Sequence, residues 1–153
     1  MTHQAPLHTP LINPAPPPED EARVAAIFSG IEQQFGFVPD GLRLYGVSPP
    51  LLELFLSTVG YFRSGAGGLS PQLATMIRYL VSSKATCAFC IDFNESILIS
   101  MGHDVDALRA ARLDPEKAPV TDAERPLLRI ALTAVSSPDK ISAGDIDAAR
   151  RAG

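Results

Sequence analysis

The strongest constraint on the fold is a series of apolar residues that recur every three or four positions, in segments separated by proline, glycine and capping residues. The first such stripe comprises Val24, Ile27, Phe28, Ile31 and Phe35. Gly36 follows it, as is typical of a helix C-terminus. Nowhere do four or more alternating β-branched residues stand between turn signals, so no strand is predicted. The sequence therefore predicts an all-α fold with short connections.

Capping residues mark the predicted helix starts. Ser48 and Ser70 each precede proline, which is tolerated in the first turn of a helix. Thr121 and Glu124 have the spacing of a capping box, and Ser142 is predicted to start the last helix. The helix after Ser70 has an apolar stripe made of Leu73, Met76, Ile77, Leu80 and Val81. These signals predict a succession of short helices along most of the chain.

The N-terminal segment has a different composition. The first 18 residues contain six prolines and no Asp, Glu, Lys or Arg. Because each proline fixes φ and lacks a backbone donor, residues 1–18 are predicted to form an extended arm. His3 and His8 lie in this arm and are expected to be solvated. Residues 19–153 are predicted to form one helical domain, since the chain is close to the usual domain size.

The charge balance argues against two classes of partner. The chain has 13 Lys and Arg against 17 Asp and Glu, a formal net charge of −4, with no basic run. We therefore expect neither nucleic acid nor a membrane surface as a partner. No window approaches the roughly 18 apolar residues of a membrane span, and the start of the sequence lacks the pattern of a signal peptide. A cytoplasmic location is expected.

Cys87 and Cys90 form a C-x-x-C motif, which is the feature with the clearest chemistry. Thr86 is predicted to cap a helix that begins at Cys87, which places the two sulfurs on one helical face. This spacing allows a disulfide with Cα atoms about 5–6 Å apart. Free N–H groups and the helix dipole at the same end favour the thiolate form of a cysteine. Lys84 is expected to add positive potential.

The motif alone leaves two interpretations open, a redox-active pair and a pair of buried structural cysteines. A zinc site would need two further ligands, and His103 is the one histidine outside the arm. We therefore expect no metal and no cofactor.

Several motifs in a fixed order resemble the carboxymuconolactone decarboxylase/alkylhydroperoxidase D (AhpD-like) family, in particular its peroxidase-related branch. The similarity extends from about Ile27 to Gly153. The motifs are Phe35-Gly36-Phe37-Val38-Pro39-Asp40, Ser48-Pro49-Pro50, Leu69-Ser70-Pro71, Cys87-Ala88-Phe89-Cys90, Met101-Gly102, Thr121-x-x-Glu124-Arg125 and Ile141-Ser142-x-x-Asp145-Ile146.

The resemblance implies an all-α, AhpD-like helical bundle with the C-x-x-C motif at a helix N-terminus, assembled as a homo-oligomer such as a trimer or hexamer. It also implies a thiol-dependent peroxidase or disulfide oxidoreductase. Cys90 would attack the peroxide substrate to form a sulfenic acid, and Cys87 would resolve it as a disulfide. The implied reductant is a dihydrolipoyl group or another dithiol on a partner protein.

The sequence departs from the family pattern at the proton relay. Thr75 occupies the position of the family's glutamate, and Asn94 that of its histidine. Because a general base typically contributes about 10²–10⁴-fold, its absence predicts slow peroxide turnover. Asn94 is expected to donate a hydrogen bond to a thiolate. Tyr79 shares a helix face with Thr75 and is a supporting candidate near the sulfurs, although ordinary packing is the preferred interpretation.

Two alternatives to the peroxidase remain. The missing relay favours an AhpD-like binding or structural module that has lost its redox chemistry. A lactone decarboxylase agrees less well with the sequence, because that branch of the family lacks the dithiol. Arg78 is a candidate for binding a carboxylate, although a lone arginine on a helix is usually solvated or paired.

Overall fold

The computed structural model describes residues 14–65 and 67–152. Within these residues the chain forms eight α-helices and no strand, which confirms the predicted all-α class. The helices are α1 (Glu21–Phe35), α2 (Asp40–Tyr45), α3 (Pro49–Arg63), α4 (Pro71–Lys84), α5 (Ala88–Ser100), α6 (Val105–Leu113), α7 (Arg125–Ser136) and α8 (Ala143–Ala152). Short 3-10 turns lie at Pro18–Asp20, Pro115–Lys117 and Pro138–Lys140. No helix in the described part of the chain is long and apolar enough to span a membrane.

Most of the predicted N-terminal arm, including His3 and His8, lies outside the described residues. Residues 14–17 have no regular structure, and Pro18 begins a 3-10 turn. The described chain forms two compact units, one ending at Gly60 and the other beginning at Tyr61. The expectation of one domain over residues 19–153 stays a prediction.

The first unit is built on α1, α2 and the greater part of α3. Val24 and Ile31 on α1 and Leu52 on α3 are buried, as the helical periodicity predicts for α1. The guanidinium of Arg23 donates two hydrogen bonds to Glu53, at 2.7 and 2.6 Å, and thereby joins α1 to α3. Gly36 ends α1 with a φ of +79°, a conformation that favours glycine.

The second unit is organised around α4, which packs against α5, α6 and α7. Its buried core comprises Leu73, Met76, Tyr79, Leu80, Ile91, Leu98, Leu108, Ala111, Ala118, Leu128 and Leu132. The predicted stripe of α4 faces this core, with Ile77 and Val81 partly buried at its margin. The packing of α4 on α5 positions the cysteine motif, because the motif lies at the N-terminus of α5.

Interlocking caps fix the start of α4. The Ser70 hydroxyl accepts the N–H of Leu73 at 3.0 Å and donates to a Glu124 carboxylate oxygen at 2.6 Å. The other oxygen of Glu124 accepts the N–H and hydroxyl of Thr121, both at 3.0 Å, and the Glu124 N–H returns to the Thr121 hydroxyl. This confirms the predicted capping box and connects the beginning of α4 to the segment that leads into α7.

Candidate functional site

Cys87 and Cys90 are joined by a disulfide at the start of α5, with their Cα atoms 5.3 Å apart. Both residues are partly exposed. The Cys87 sulfur accepts the backbone N–H of Cys90 at 3.4 Å, and the Cys87 carbonyl accepts the N–H of Ile91 at 2.9 Å. The sulfur atoms therefore lie at the positive end of the helix dipole. The partial exposure of both residues disagrees with the interpretation of fully buried structural cysteines.

The prediction that Thr86 caps this helix was wrong by one residue. Cys87 is the N-cap, and its side chain takes the place of the usual hydroxyl or carboxylate. Thr86 adopts a left-handed conformation with a φ of +54°, which is incompatible with the extended backbone of an N-cap. The Thr86 N–H donates to Ser83 and the Cys87 N–H to Ser82, so the chain reverses tightly between α4 and α5.

A chain of hydrogen bonds connects α4 to the cysteine turn. The Asn94 amide donates to the Cys90 carbonyl at 2.7 Å and accepts from Nε of Arg78 at 3.3 Å. Nη2 of Arg78 donates to the Thr75 hydroxyl at 2.7 Å, and that hydroxyl donates to the Pro71 carbonyl at 2.8 Å. In this disulfide form the Asn94 amide therefore binds the carbonyl one helical turn earlier. Its donation of a hydrogen bond to a thiolate stays a prediction.

Arg78 is more central to this site than the sequence predicted, because it joins Thr75 to Asn94. It is partly buried, and its hydrogen-bond acceptors are the neutral side chains of Thr75 and Asn94. Burial and, secondly, repulsion from Arg63 lower the pKa of Arg78 below its usual value. Its position one turn after Thr75 was the available signal, because residues three apart on a helix are neighbours.

Tyr79 belongs to the core and does not contact the sulfurs. Its side chain is 0% exposed, and its hydroxyl donates to Glu95 at 2.6 Å. Burial, reinforced by the hydrogen bond to Glu95, raises the pKa of Tyr79 above its ordinary value. Glu95 also lies 3.8 Å from Arg109, which offsets its charge. These contacts agree with the packing interpretation of Tyr79.

No general base is hydrogen-bonded to either sulfur within the described part of the chain. No side chain in residues 14–65 or 67–152 donates or accepts a hydrogen bond at either sulfur. Asp92 and Lys84 are exposed. Phe89, which is 52% exposed, stacks on Phe93 at a centroid distance of 5.8 Å and gives this turn an apolar surface. Across the described residues, no group of three His, Cys, Asp or Glu side chains could hold a metal ion.

No protein-family model matches the sequence, and no curated protein is significantly similar to it. The structure does resemble solved ones. An uncharacterized peroxidase-related protein from Silicibacter sp. TM1040 matches with a TM-score of 0.82 and 22% identity, covering 100% of this chain and 79% of that one.

Two further solved structures resemble the chain in fold. An AhpD-core, uncharacterized peroxidase-related protein from Ralstonia eutropha JMP134 matches with a TM-score of 0.76 and 21% identity, over 95% of this chain and 78% of that one. A cysteine-to-alanine variant of the debrominase Bmp8, in complex with 2,3,4-tribromopyrrole, matches with a TM-score of 0.72 and 23% identity, over 94% and 76% of the two chains. The chain has the AhpD-like fold, with a C-x-x-C pair at the start of α5.

Proposed function

We propose that Cys87 and Cys90 cycle between dithiol and disulfide, and that the protein is a thiol-dependent oxidoreductase. The observation that carries the proposal is the pairing of two partly exposed cysteines in the first turn of α5. Such a turn favours a thiolate, which is the reactive form of the thiol. The likeness in fold to peroxidase-related proteins agrees with this chemistry.

The hydrogen bonds favour Cys87 as the thiolate that reacts first with a substrate disulfide. Its sulfur accepts the Cys90 N–H, whereas the Asn94 amide is engaged by the Cys90 carbonyl instead of a sulfur. Thiol–disulfide exchange needs an attacking thiolate and a thiolate leaving group, but no separate base. The missing relay is therefore a smaller handicap for exchange than for peroxide reduction.

The thiol–disulfide exchange proceeds in two steps. The Cys87 thiolate attacks one sulfur of the substrate disulfide, forms a mixed disulfide and releases one substrate thiolate. The Cys90 thiolate then attacks the Cys87 sulfur, which forms the Cys87–Cys90 disulfide and releases the second substrate thiolate. Two electrons pass to the substrate, and an external dithiol such as a dihydrolipoyl group returns them.

Peroxide reduction is the second candidate, favoured by the peroxidase-related structural neighbours. In this version the Cys90 thiolate attacks a peroxide oxygen, the O–O bond breaks, an alcohol or water leaves after protonation, and Cys90 becomes a sulfenic acid. The Cys87 thiol condenses with it to give the disulfide and water. Thr75 and Asn94 are engaged with Arg78 and neither is a general base, so we expect this reaction to be the slower one.

Single-cysteine variants test whether Cys87 or Cys90 forms the reactive thiolate. The rate of alkylation by iodoacetamide is measured against pH in Cys90→Ser, which retains Cys87, and in Cys87→Ser, which retains Cys90. We expect the thiolate of Cys87 to form at lower pH. The reverse order would favour the peroxidase scheme in which Cys90 attacks.

A turnover assay distinguishes a thiol-dependent oxidoreductase from a binding or structural module without redox activity. Reduced protein is supplied with dihydrolipoamide and either a small disulfide or an organic peroxide. We expect disulfide turnover above that of dihydrolipoamide alone, lost in both cysteine variants. Turnover equal to that of the free dithiol would favour the binding or structural module. If both thiols of the wild type stay alkylatable after oxidant treatment, the redox pair itself is refuted.

A further inference from the structure

Arg78 is a partly buried cation whose hydrogen-bond acceptors are neutral side chains. No carboxylate in residues 14–65 or 67–152 forms an ion pair with it; its partners are the Thr75 hydroxyl and the Asn94 amide oxygen. Other arginines of the described chain do pair with carboxylates, although they are more exposed: Arg23 with Glu53, Arg109 with Glu95 and Arg129 with Glu116.

The lack of a counter-charge has an energetic consequence. An arginine remains protonated in a protein, so burial cannot be relieved by loss of its proton. Desolvation of such a charge is unfavourable unless an opposite charge or several strong acceptors compensate it. The nearby positive charge of Arg63 adds repulsion. The guanidinium therefore presents positive potential that an anion would neutralise.

This potential lies beside the cysteine turn. Asn94 binds both Nε of Arg78 and the carbonyl of Cys90, so one side chain separates the guanidinium from the first turn of α5. At 100° per residue, Asn94 lies about 40° around the helix from Cys90. The carboxylates of α5 do not compensate the charge, because Asp92 is exposed and Glu95 is engaged by Tyr79 and Arg109.

We propose that Arg78 forms an anion subsite beside the Cys87–Cys90 pair, and that the substrate of the dithiol carries a carboxylate close to its reactive sulfur or oxygen atom. The inference rests on the proposed redox function and names the class of substrate for it. Arg78 binds the anionic group, while the cysteines exchange electrons with the neighbouring reactive bond.

Two disulfide probes, one anionic and one uncharged, test the subsite. Dithiobis(nitrobenzoate) carries a carboxylate on each ring, whereas dithiodipyridine is uncharged at neutral pH. Stopped-flow rates of both probes with the fully reduced protein are compared in wild type, Arg78→Gln and Arg78→Lys. Arg129→Gln is the matched control, because Arg129 is an exposed arginine paired with Glu116. Thermal melting establishes that each variant is folded.

We expect Arg78→Gln to lower the rate with dithiobis(nitrobenzoate) by about tenfold, the effect of one nearby charge at an effective dielectric between those of water and the protein interior. The rate with dithiodipyridine should change by less than about twofold, which is small beside a unit-charge effect. Arg78→Lys should retain most of the preference for the anionic probe, and Arg129→Gln all of it. Added salt should weaken the preference in wild type.

Three outcomes would overturn the subsite in different ways. Equal slowing of both probes in Arg78→Gln would show that Arg78 only holds the cysteine turn in place. No effect on either probe would show that its charge does not reach the sulfurs. No reaction of reduced wild type with either probe would refute the proposed redox function, and the subsite with it.

Discussion

Replacement of Tyr79 by phenylalanine should destabilise the second unit without changing the reactivity of the cysteines. The substitution retains the buried ring and removes one hydroxyl, so it deletes the 2.6 Å hydrogen bond to Glu95. Hydrogen bonds to charged groups contribute about 1.5–3 kcal/mol to stability. The Glu95 side chain is 14% exposed and keeps its contact with Arg109 at 3.8 Å, which offsets part of the loss. We therefore expect the free energy of unfolding to fall by about 2 kcal/mol.

Urea denaturation of wild type, Tyr79→Phe, Glu95→Gln and the double variant measures this coupling between α4 and α5. A loss of about 2 kcal/mol corresponds to a decrease in Tm of about 4–8 °C for a protein of this size. Tyr61→Phe is the matched control, because Tyr61 is 57% exposed and should tolerate the change. A Tyr79→Phe effect below about 0.5 kcal/mol, the usual range of surface substitutions, would refute the reasoning.

The surroundings of Tyr79 also predict how the free energy of unfolding depends on pH in the alkaline range. The pKa of Tyr79 is raised above its ordinary value of 10.0, chiefly by burial. A raised pKa in the folded state gives a stabilisation that is complete below the unfolded pKa and is lost as pH rises toward the folded pKa. The stability difference between wild type and Tyr79→Phe should therefore shrink as pH rises above about 10, by at most about 1.4 kcal/mol per pH unit. A constant difference, measured by urea denaturation at each pH, would contradict this assignment.

Two further predictions concern a glycine of the first unit and the neighbour of Arg78. A Cβ at Gly46 would lie 3.0 Å from both the Arg43 carbonyl and the Phe28 ring, whereas one at Gly41 would meet nothing within 4 Å. Gly46→Ala should thus lower the free energy of unfolding by about 1–3 kcal/mol. Gly41→Ala, within α2, should leave the free energy of unfolding unchanged or raise it by up to about 1 kcal/mol. Equal effects of the two substitutions in urea denaturation would contradict the steric argument for Gly46. Thr75→Glu should place a carboxylate on Arg78 and abolish the preference for the anionic probe, whereas Thr75→Ser should keep it. An unchanged rate ratio in Thr75→Glu would argue against the anion subsite.

The helices and the cysteine turn could be predicted because their signals are local. The stripe of α4, the cap at Ser70 and the capping box at Thr121 each depend on residues within one or two helical turns. Contacts between helices could not be predicted in this way. Arg78 and Asn94 are 16 residues apart, and so are Tyr79 and Glu95, and their partners depend on how α4 and α5 are rotated against each other. The N-cap was displaced by one residue because a cysteine sulfur took a role that sequence rules assign to Ser, Thr, Asp or Asn.

The missing proton relay and the unpaired charge of Arg78 have a common origin in position 75. The family resemblance places a glutamate there, and a glutamate would be within reach of the guanidinium that now lies 2.7 Å from the Thr75 hydroxyl. A carboxylate at this position would neutralise Arg78 and also accept a proton. Threonine does neither, so position 75 supplies no base, and Arg78 keeps a positive charge without a carboxylate partner among the described residues. Such a site is poorly suited to moving a proton, but it is suited to binding an anion and to favouring a thiolate. This is why we favour exchange with an anionic disulfide over rapid reduction of a neutral peroxide.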